Sequence, residues 1–313
     1  MASKISVVMS VYSEPQHFVK KAVDSILSQT YKDFEFIIVC DNPKNIELFQ
    51  FLESIQEKDN RVKLLKNEEN IGLTKSLNKA IANAEGIYIA RMDADDISET
   101  NRFEEQVKFL DEHPNVGVCG SQFNYIDDKD MVIRQNLIPS EKKDFPYMIM
   151  PFFAHPAVMM RKECLMKLAT PYDEHFRYAQ DFSLWYRLDD VCDFYNIPKI
   201  LFNYRKTAGQ ISAKKASEQR GLSEEIQQGY LRKKDKNITV AWDKLDYAEV
   251  DKIKSIIQSF GISDNAVKMG CKSLYRRINH NKLLSFLLIL RGNKRMGYSL
   301  RDLLGIAKHI YLN

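Results

Sequence analysis

The sequence lacks paired cysteines, a hydrophobic leader and any long apolar run. No two cysteines have the C-x-x-C spacing typical of zinc sites, so we expect neither zinc nor disulfides, and a protein of the reducing cytoplasm. No apolar stretch follows a basic start in residues 1–11, which we interpret as a first strand and not as a signal peptide. The longest late apolar run, Leu283–Leu290, is far too short to span a bilayer. The five cysteines are Cys40, Cys119, Cys164, Cys192 and Cys271.

A strong overall charge is also absent, because 46 basic residues face 42 acidic ones. The balance hides an asymmetry along the chain. From Lys252 to the end there are twelve lysines and arginines but only two acids, Asp264 and Asp302. A neutral to acidic body therefore precedes a basic tail. We do not expect nucleic-acid binding, because no recognised binding module accompanies this charge.

The remaining composition is that of a globular protein, with 44% hydrophobic and 28% charged residues. A chain of 313 residues can hold one large α/β domain with an appendage, or two domains. The polar segment 206–219 indicates a domain edge. We therefore place a first domain at residues 1–215 and a mainly helical, basic region at residues 216–313.

Strands and helices alternate through the first part of the chain. Ile5–Val11 and Phe34–Cys40 are short apolar runs typical of strands buried in a parallel sheet. The alternation predicts βαβ units, and ligands of such sheets bind beyond the carboxyl ends of the strands. The other predicted elements are strands over 62–66, 88–92, 116–120, 123–126 and 155–160, helices over 46–58, 74–84, 103–112 and 181–188, a first helix ending near Gln29, and a loop or short helix over 142–151.

The acidic cluster Asp93-Ala94-Asp95-Asp96 ends the predicted strand over 88–92. Closely spaced carboxylates repel one another and are costly unless water or a cation neutralises them. A solvated loop that caps a helix is one interpretation, and an EF-hand fits poorly because its glycine and closing glutamate are missing. The position at the ligand edge of the sheet favours a divalent metal that bridges to a diphosphate.

Two further residues end neighbouring strands, and one lies inside a strand. Tyr12 could lie flat against a nucleobase, and Asp41 could accept a base N–H. An ordinary strand-end aromatic and a turn residue before Pro43 are the alternatives. Arg91 is predicted inside a buried strand, where an arginine needs an acid or a phosphate as its partner.

An ordered series of motifs resembles the family 2 glycosyltransferases. The resemblance covers residues 3 to about 212, and the series is far more specific than any single motif. Its parts are Ser6–Tyr12, Ala22–Tyr31, Asn70–Leu73 with Asn78, Ala84–Asp96, Arg102–Gln106, His155-Pro156 before Arg161, and Gln180-Asp181 before Leu184-Trp185.

The resemblance implies a GT-A (Rossmann-like) fold, a mixed, mainly parallel α/β sheet flanked by helices, here with a C-terminal helical extension. It implies inverting transfer of a hexosyl or N-acetylhexosaminyl group from a nucleoside-diphosphate sugar, with a UDP-sugar favoured and Mg²⁺ or Mn²⁺ as cofactor. The acceptor would be a glycan or a lipid-linked saccharide of surface polysaccharide synthesis. Residues 1–100 would hold the nucleotide sugar and residues 101–215 the acceptor.

The same resemblance implies roles for individual residues. Asp181 matches the catalytic base. Asp93 and Asp95 form the DXD motif for metal and diphosphate, with Asp95 the more direct ligand, while Asp96 is expected only to cap the next segment of the chain. Two carboxylates suffice for Mg²⁺, because phosphate oxygens and water complete its shell. The other donor-binding residues are Tyr12, Glu14, Asp41, Asn70, Gly72, Arg91 and Ala94, and His155 and Trp185 are expected at the acceptor or site wall.

Several of these assignments have simpler alternatives. A core histidine bonded to backbone would explain His155, a core tryptophan would explain Trp185, and a tight turn would explain Asn70 and Gly72. The chain also departs from many relatives at three positions. Cys40 and Gln180 stand where an acid often precedes Asp41 and Asp181, and Thr207 stands near a histidine that can help to bind metal.

The tail has two interpretations. Its apolar residues at helical spacing fit two helices packed on the catalytic domain. Alternatively, residues 252–313 lie on an anionic membrane surface, which would place a cytoplasmic enzyme peripherally at the inner face of the plasma membrane, near a lipid-linked acceptor.

Three other functions compete with the transferase. A nucleotidyltransferase that makes sugar nucleotides would need a Gly-rich phosphate loop after the first strand, where Ser10–Glu14 stands. A non-catalytic, metal-binding receiver-like domain would carry its acids at the first and third strands. A degenerate sugar-binding relative would not need Asp181.

Overall fold

The protein is described by a computed structural model that covers residues 3–146, 150–207, 215–240, 242, 245–259 and 261–277. These residues form two compact units. One contains the described residues up to 140 together with 153–226, and the other contains 141–152 and the described residues from 227 onward. The predicted division at residue 215 stays a prediction.

The first unit begins with four parallel strands, β1 (Ile5–Val11), β2 (Phe34–Cys40), β3 (Val62–Lys66) and β4 (Tyr88–Arg91). Every residue of β1 is buried, as its mainly apolar sequence predicts. β1 lies between β2 and β4, with Ile5 opposite Phe34 on one side and Tyr88 on the other. The crossovers are helices α1 (Gln16–Leu27), α2 (Ile46–Lys58) and α3 (Leu73–Ala82).

The sheet continues with strands of both directions. The nine-stranded sheet has the order β3-β2-β1-β4-β8-β6-β9-β5, with β7 paired to β6. β8 runs antiparallel to β4 and β6, whereas β6 and β9 are parallel. The mixed, mainly parallel sheet confirms the predicted fold class. These elements are β5 (Ile97–Ser98), β6 (Val116–Ile126), β7 (Val132–Asn136), β8 (Met159–Arg161) and β9 (Asp193–Arg205), with helices α4 (Arg102–Glu112), α5 (Lys162–Leu165) and α6 (Gln180–Leu188).

The structure corrects two element predictions. The predicted strands over 116–120 and 123–126 are one strand, β6, whose pairing with β9 shifts register near Gln122. The predicted strand over 155–160 begins instead as a 3₁₀ helix, His155–Ala157, before β8. Pro156 explains this change because its ring fixes φ and it has no N–H for a strand ladder.

Three strands were not predicted. β5 has two residues, and β7 is an exposed strand without a buried apolar face. β9 contains Pro198, which argues against a strand in sequence-based reasoning. In the structure Pro198 falls where the β6–β9 register jumps from Ile197 to Ile200, so its missing N–H breaks no ladder bond.

Helices predominate among the described residues of the second unit. Helix α7 (Ala216–Lys234) begins in the first unit, and α8 (Tyr247–Ser259) packs against α9 (Asp264–Arg277). Val250, Ile253 and Ile257 recur at helical spacing and are buried. No helix among the described residues is long and apolar enough to cross a membrane. The predicted apolar and basic helices beyond residue 277 lie outside the described residues.

Candidate functional site

Three predicted residues meet at one edge of the sheet. Tyr12 follows β1, Asp41 follows β2, and Asp93 follows β4 by two positions. Because these strands are neighbours and parallel, their carboxyl ends lie side by side. Asp41 and Tyr12 are joined through Asn42, whose side-chain amide donates to the Tyr12 carbonyl at 2.8 Å. The tertiary structure thus assembles an acidic and aromatic edge from three separate parts of the chain.

The acidic cluster alternates between exposed and buried residues. Asp93 and Asp95 are partly exposed, whereas Ala94 and Asp96 are buried. Arg91 is fully buried, and its guanidinium pairs with the Asp93 carboxylate at 2.5 Å. Arg91 therefore has the acidic partner that its burial requires, and the Asp93 side chain remains 31% exposed.

Asp96 does more than cap the following segment. It is 1% exposed, and its carboxylate accepts a hydrogen bond from the Arg205 backbone N–H at 2.7 Å. Burial, with the charges of Asp95 and Asp93, raises the pKa of the Asp96 carboxyl well above its ordinary value. The Arg205 side chain returns to the same loop, because its Nε donates to the Asp95 carbonyl at 2.7 Å. The end of β9 therefore fixes the backbone of the acidic cluster.

Asp41 holds the loop that follows β3. Its Oδ1 accepts hydrogen bonds from the Asn67 side chain and the Ile71 N–H, and its Oδ2 accepts one from the Gly72 N–H, all at 2.8–2.9 Å. Gly72 has φ of +84°, a conformation that glycine adopts without strain. Asp41 is only 2% exposed, and one of its four acceptor positions remains after these three bonds. The structure thus joins Asp41 to Asn67, Ile71 and Gly72. The contacts of Asp41, Asn70 and Gly72 with the donor stay predictions.

Glu14 shapes the turn at Tyr12. Its Oε2 accepts hydrogen bonds from the Tyr12 and Ser13 N–H groups at 2.8 and 3.1 Å, and the Tyr12 side chain is 44% exposed. Burial raises the pKa of the Glu14 carboxyl, backbone N–H groups oppose this, and the Asp93 charge adds to the rise. Glu14 therefore fixes the backbone of the turn that carries the exposed ring of Tyr12, and its carboxyl senses the charge of Asp93.

Asp181 stands in the first turn of α6, where the helix dipole favours a carboxylate. Burial raises the pKa of its carboxyl, while hydrogen bonds from the N–H groups of Phe182 and Asp181 itself lower it. The Asp93 charge raises this pKa and the Arg91 charge lowers it. Asp181 and the Arg91–Asp93 pair thus share one electrostatic environment although they are far apart in the sequence.

The two residues predicted at the acceptor or site wall, His155 and Trp185, are both buried. His155 is 8% exposed, and its Nε2 lies 2.6 Å from the Tyr172 hydroxyl. Burial, with the Arg91 charge, lowers the pKa of the His155 imidazole well below its ordinary value. Trp185 is 3% exposed and packs edge-on against Phe153, with ring centroids 5.0 Å apart. In this structure both residues support the site from within the core, and their contact with an acceptor stays a prediction.

The donor set fits a divalent metal that is shared with a substrate. Among the described residues no three His, Cys, Asp or Glu side chains form a group that could hold a metal by themselves. Two partly exposed carboxylates, Asp93 and Asp95, project from one loop, and Arg91 occupies one oxygen of Asp93. Mg²⁺ and Mn²⁺ commonly combine one or two carboxylates with phosphate oxygens and water, so these residues fit such an ion.

Sequence reasoning missed three residues of this region. Asn67 follows β3 directly, so the same strand-end argument that selected Asp41 could have found it. Tyr172 is fully buried against His155, and only the fold reveals this contact. Arg177 lies in an irregular segment before α6 and covers Gly72, and no pattern in the sequence marks it.

Solved structures identify the class of fold to which this chain corresponds. Staphylococcus aureus TarS 1–349 in complex with UDP matches with a TM-score of 0.60 at 15% identity, over 98% of this chain and 90% of that chain. The Pyrobaculum calidifontis mannosyltransferase PcManGT, in complex with GDP-Man and Mn²⁺, matches with a TM-score of 0.57 at 14% identity, over 100% and 88%. At these identities the likeness concerns the fold, which is that of a GT-A glycosyltransferase.

The chain belongs to glycosyl transferase family 2, whose profile matches residues 6–169, more than half of its length. An uncharacterised glycosyltransferase of Methanocaldococcus jannaschii is 37% identical over 64% of this chain and 70% of its own. The O-antigen biosynthesis glycosyltransferase WbnJ of Escherichia coli is 34% identical over 64% of this chain and 79% of its own. The protein is therefore a glycosyltransferase.

Proposed function

We propose that the protein is a metal-dependent, inverting glycosyltransferase that uses a nucleoside-diphosphate sugar, with a UDP-sugar favoured. The acceptor would be a glycan or lipid-linked saccharide in surface polysaccharide synthesis. The observation that carries the proposal is the grouping of Asp93 and Asp181, which come from different elements and whose charges interact. Structural neighbours bound to UDP or to GDP-Man and Mn²⁺, and a relative in O-antigen biosynthesis, support the class of donor and acceptor.

In this proposal the residues of the acidic edge bind the donor. Asp93 and Asp95 hold Mg²⁺ or Mn²⁺ together with the diphosphate, and Arg91 keeps Asp93 in place. The metal, when bound, neutralises charge on the departing diphosphate. Tyr12 presents its exposed ring to the base, and Glu14 fixes the turn that carries it.

Asp181 is the proposed general base. A carboxylate on the face of the sugar opposite the diphosphate can accept the proton of the acceptor hydroxyl while the new bond forms. A single displacement of this kind inverts the anomeric centre, as the two-carboxylate logic of inverting glycosidases also requires. The pKa of Asp181 is raised, which makes the group a better proton acceptor than an exposed aspartate.

A donor screen tests the proposal. The full-length protein would be offered UDP-, GDP- and TDP-sugars with a panel of saccharide acceptors, with and without Mn²⁺, and the released nucleoside diphosphate would be measured. We expect turnover that requires metal. Asp95→Ala and Asp181→Asn should each reduce it by at least about 100-fold, the scale of lost general-base or electrostatic help.

The two variants should differ in binding. Asp181→Asn should retain nucleoside diphosphate and metal, whereas Asp95→Ala should weaken both. Glu163→Gln on α5 serves as the control, because it removes one negative charge, as Asp181→Asn does, but lies outside the site. Full activity of Asp181→Asn would remove this residue from the mechanism, and turnover without any divalent metal would remove the metal.

A further inference from the structure

Arg177 covers the loop that Asp41 holds. It lies four residues before Asp181, and its Nε and Nη2 are 3.7 and 3.8 Å from the position that a Cβ on Gly72 would occupy. A Cβ there would touch the guanidinium at ordinary van der Waals distance, so Arg177 lies directly against the Gly72 turn. Arg177 is exposed, and its guanidinium lies 5.5 Å from the centroid of the Tyr178 ring. An exposed arginine with five N–H donors beside a fixed loop is suited to ligand recognition.

The segment that carries Arg177 is tied to α3. The Asn78 side chain donates to the Tyr172 carbonyl at 2.8 Å and accepts from the Tyr172 N–H at 2.9 Å. The Thr74 hydroxyl donates to the Arg177 carbonyl at 3.4 Å. These three bonds fix the backbone of the segment against the helix that starts at the Gly72 turn. The fold consequently places the backbone of Arg177 beside the Gly72 turn.

Arg177 is part of the wall of a pocket of about 230 Å³. The charged side chains of the wall balance, because Lys75 and Arg177 face Glu69 and Glu174. A wall without net charge is a poor site for a diphosphate, which carries several negative charges. It suits a polar ring with both donors and acceptors. The wall is formed by Glu69, Asn70, Ile71, Gly72, Thr74, Lys75, Glu174 and Arg177.

The sheet order places this pocket away from the metal-binding acids. The pocket loop follows β3, whereas Asp93 and Asp95 follow β4, and β2 and β1 lie between these strands. Adjacent strands are about 4.8 Å apart, so the two ends are separated by about 14 Å. A nucleoside-diphosphate sugar bound with its diphosphate at Asp95 would reach the pocket with its far end, which is the base.

We propose that Arg177 is a donor-binding residue that contacts the nucleobase. Its guanidinium donates hydrogen bonds to a ring carbonyl, as uracil, thymine and guanine each present. This inference rests on the proposed function. It adds a recognition element from the segment before the catalytic helix to a donor site otherwise formed by the first four strands.

Calorimetry with nucleoside diphosphates and Mn²⁺ tests this inference on the full-length protein. UDP, GDP and TDP identify the preferred nucleotide, and inorganic diphosphate serves as the probe without a base. Arg177→Ala should raise the Kd of the preferred nucleotide by about 10- to 100-fold, the range for a hydrogen bond to a charged group. The Kd of inorganic diphosphate should not change, and Arg177→Lys should recover only part of the loss.

The control is Arg134→Ala, which removes an exposed arginine on β7 without touching the pocket. A thermal melt of each variant checks that the fold is retained. Equal losses for nucleotide and inorganic diphosphate would make Arg177 a phosphate contact and overturn the inference, as would no loss at all. If the unmodified protein binds no nucleoside diphosphate, the proposed function fails. If the unmodified protein binds one and Arg177→Ala binds it with the same Kd, only this inference fails.

Discussion

At the scale of single residues, burial and partners decide the character of each carboxylate. Asp93, Asp95 and Asp96 look equivalent in the sequence, yet Arg91 pairs with Asp93 and the Arg205 N–H binds Asp96. Asp93 and Asp95 are partly exposed, whereas Asp96 is buried. The sequence indicated a DXD motif, but it could not show which acids are exposed, because that depends on Arg91 and on the distant Arg205.

The raised pKa of Asp181 makes a prediction about pH. Asp181 must be ionised to accept a proton, so turnover should fall as pH drops through a pKa above the ordinary aspartate value of 3.8. The measurement is the pH profile of kcat at saturating donor and acceptor. Nucleoside-diphosphate binding, followed over the same range, separates protonation of Asp181 from loss of donor.

The residual activity of Asp181→Asn provides the control for this profile. In this variant the fall of kcat at low pH should be absent or shifted, since the titrating carboxyl is gone. The pH dependence would belong to another group if kcat fell with a midpoint at or below the ordinary aspartate pKa. The same conclusion would follow if the fall were unchanged in Asp181→Asn.

At the scale of elements, the sequence predicted the first half of the sheet closely and the second half poorly. The bounds of β1, β2 and β3 agree with the structure, because apolar residues predominate in each and turn residues bound it. β9 was missed because Pro198 interrupts its pattern, and the bulge that accommodates this proline exists only against β6. Local sequence patterns identify buried parallel strands. The bounds of the strands in the mixed part of the sheet depend instead on the strands with which they pair.

Two glycines make a matched prediction about packing. A Cβ on Gly86 would lie 2.6 Å from the Ser6 N and 2.7 Å from the Ile5 carbonyl carbon, which are backbone atoms of β1 and cannot yield easily. Gly221 lies in α7 with no atom within 4 Å of its Cβ position. Gly86→Ala should lower the free energy of unfolding by about 1–3 kcal/mol. Gly221→Ala should raise it by about 0.5–1 kcal/mol through helix propensity.

Urea unfolding of the full-length variants, followed by circular dichroism, measures both changes against the unmodified protein. The opposite signs distinguish a steric effect from a general effect of replacing glycine. Equal stability of Gly86→Ala and the unmodified protein would mean that β1 and the turn before β4 can separate at little cost.

At the scale of the whole molecule, the asymmetry of charge remains the main unexplained feature. Twelve basic residues against two acids follow residue 251, and α8 and α9 are the described helices of this region. Apolar residues of α8 and α9 are buried, whereas the apolar residues between 283 and 310, to which the packing interpretation of the tail applies, lie outside the described residues. The basic residues beyond 277 lie outside the described residues, so a membrane role for the tail stays a proposal.

Vesicle flotation tests the tail. If residues 252–313 bind an anionic surface, the full-length protein should float with vesicles that contain anionic lipid and remain at the bottom with neutral vesicles. Raising the salt concentration should release it, because screening weakens attraction to a charged surface. A protein that ends at residue 251 should not float but should keep its nucleoside-diphosphate binding. Flotation that is unaffected by this truncation would place the membrane contact elsewhere.

The sequence by itself determined the α/β class, the parallel strands that open the sheet and the motifs of a family 2 glycosyltransferase, because buried strands and short motifs are local properties. Only the tertiary structure decided which side chains meet. It bound Asp41 to the Gly72 loop and brought Asp181 into the environment of Asp93. Such contacts depend on strand order and on the path of irregular segments, and no local pattern encodes either.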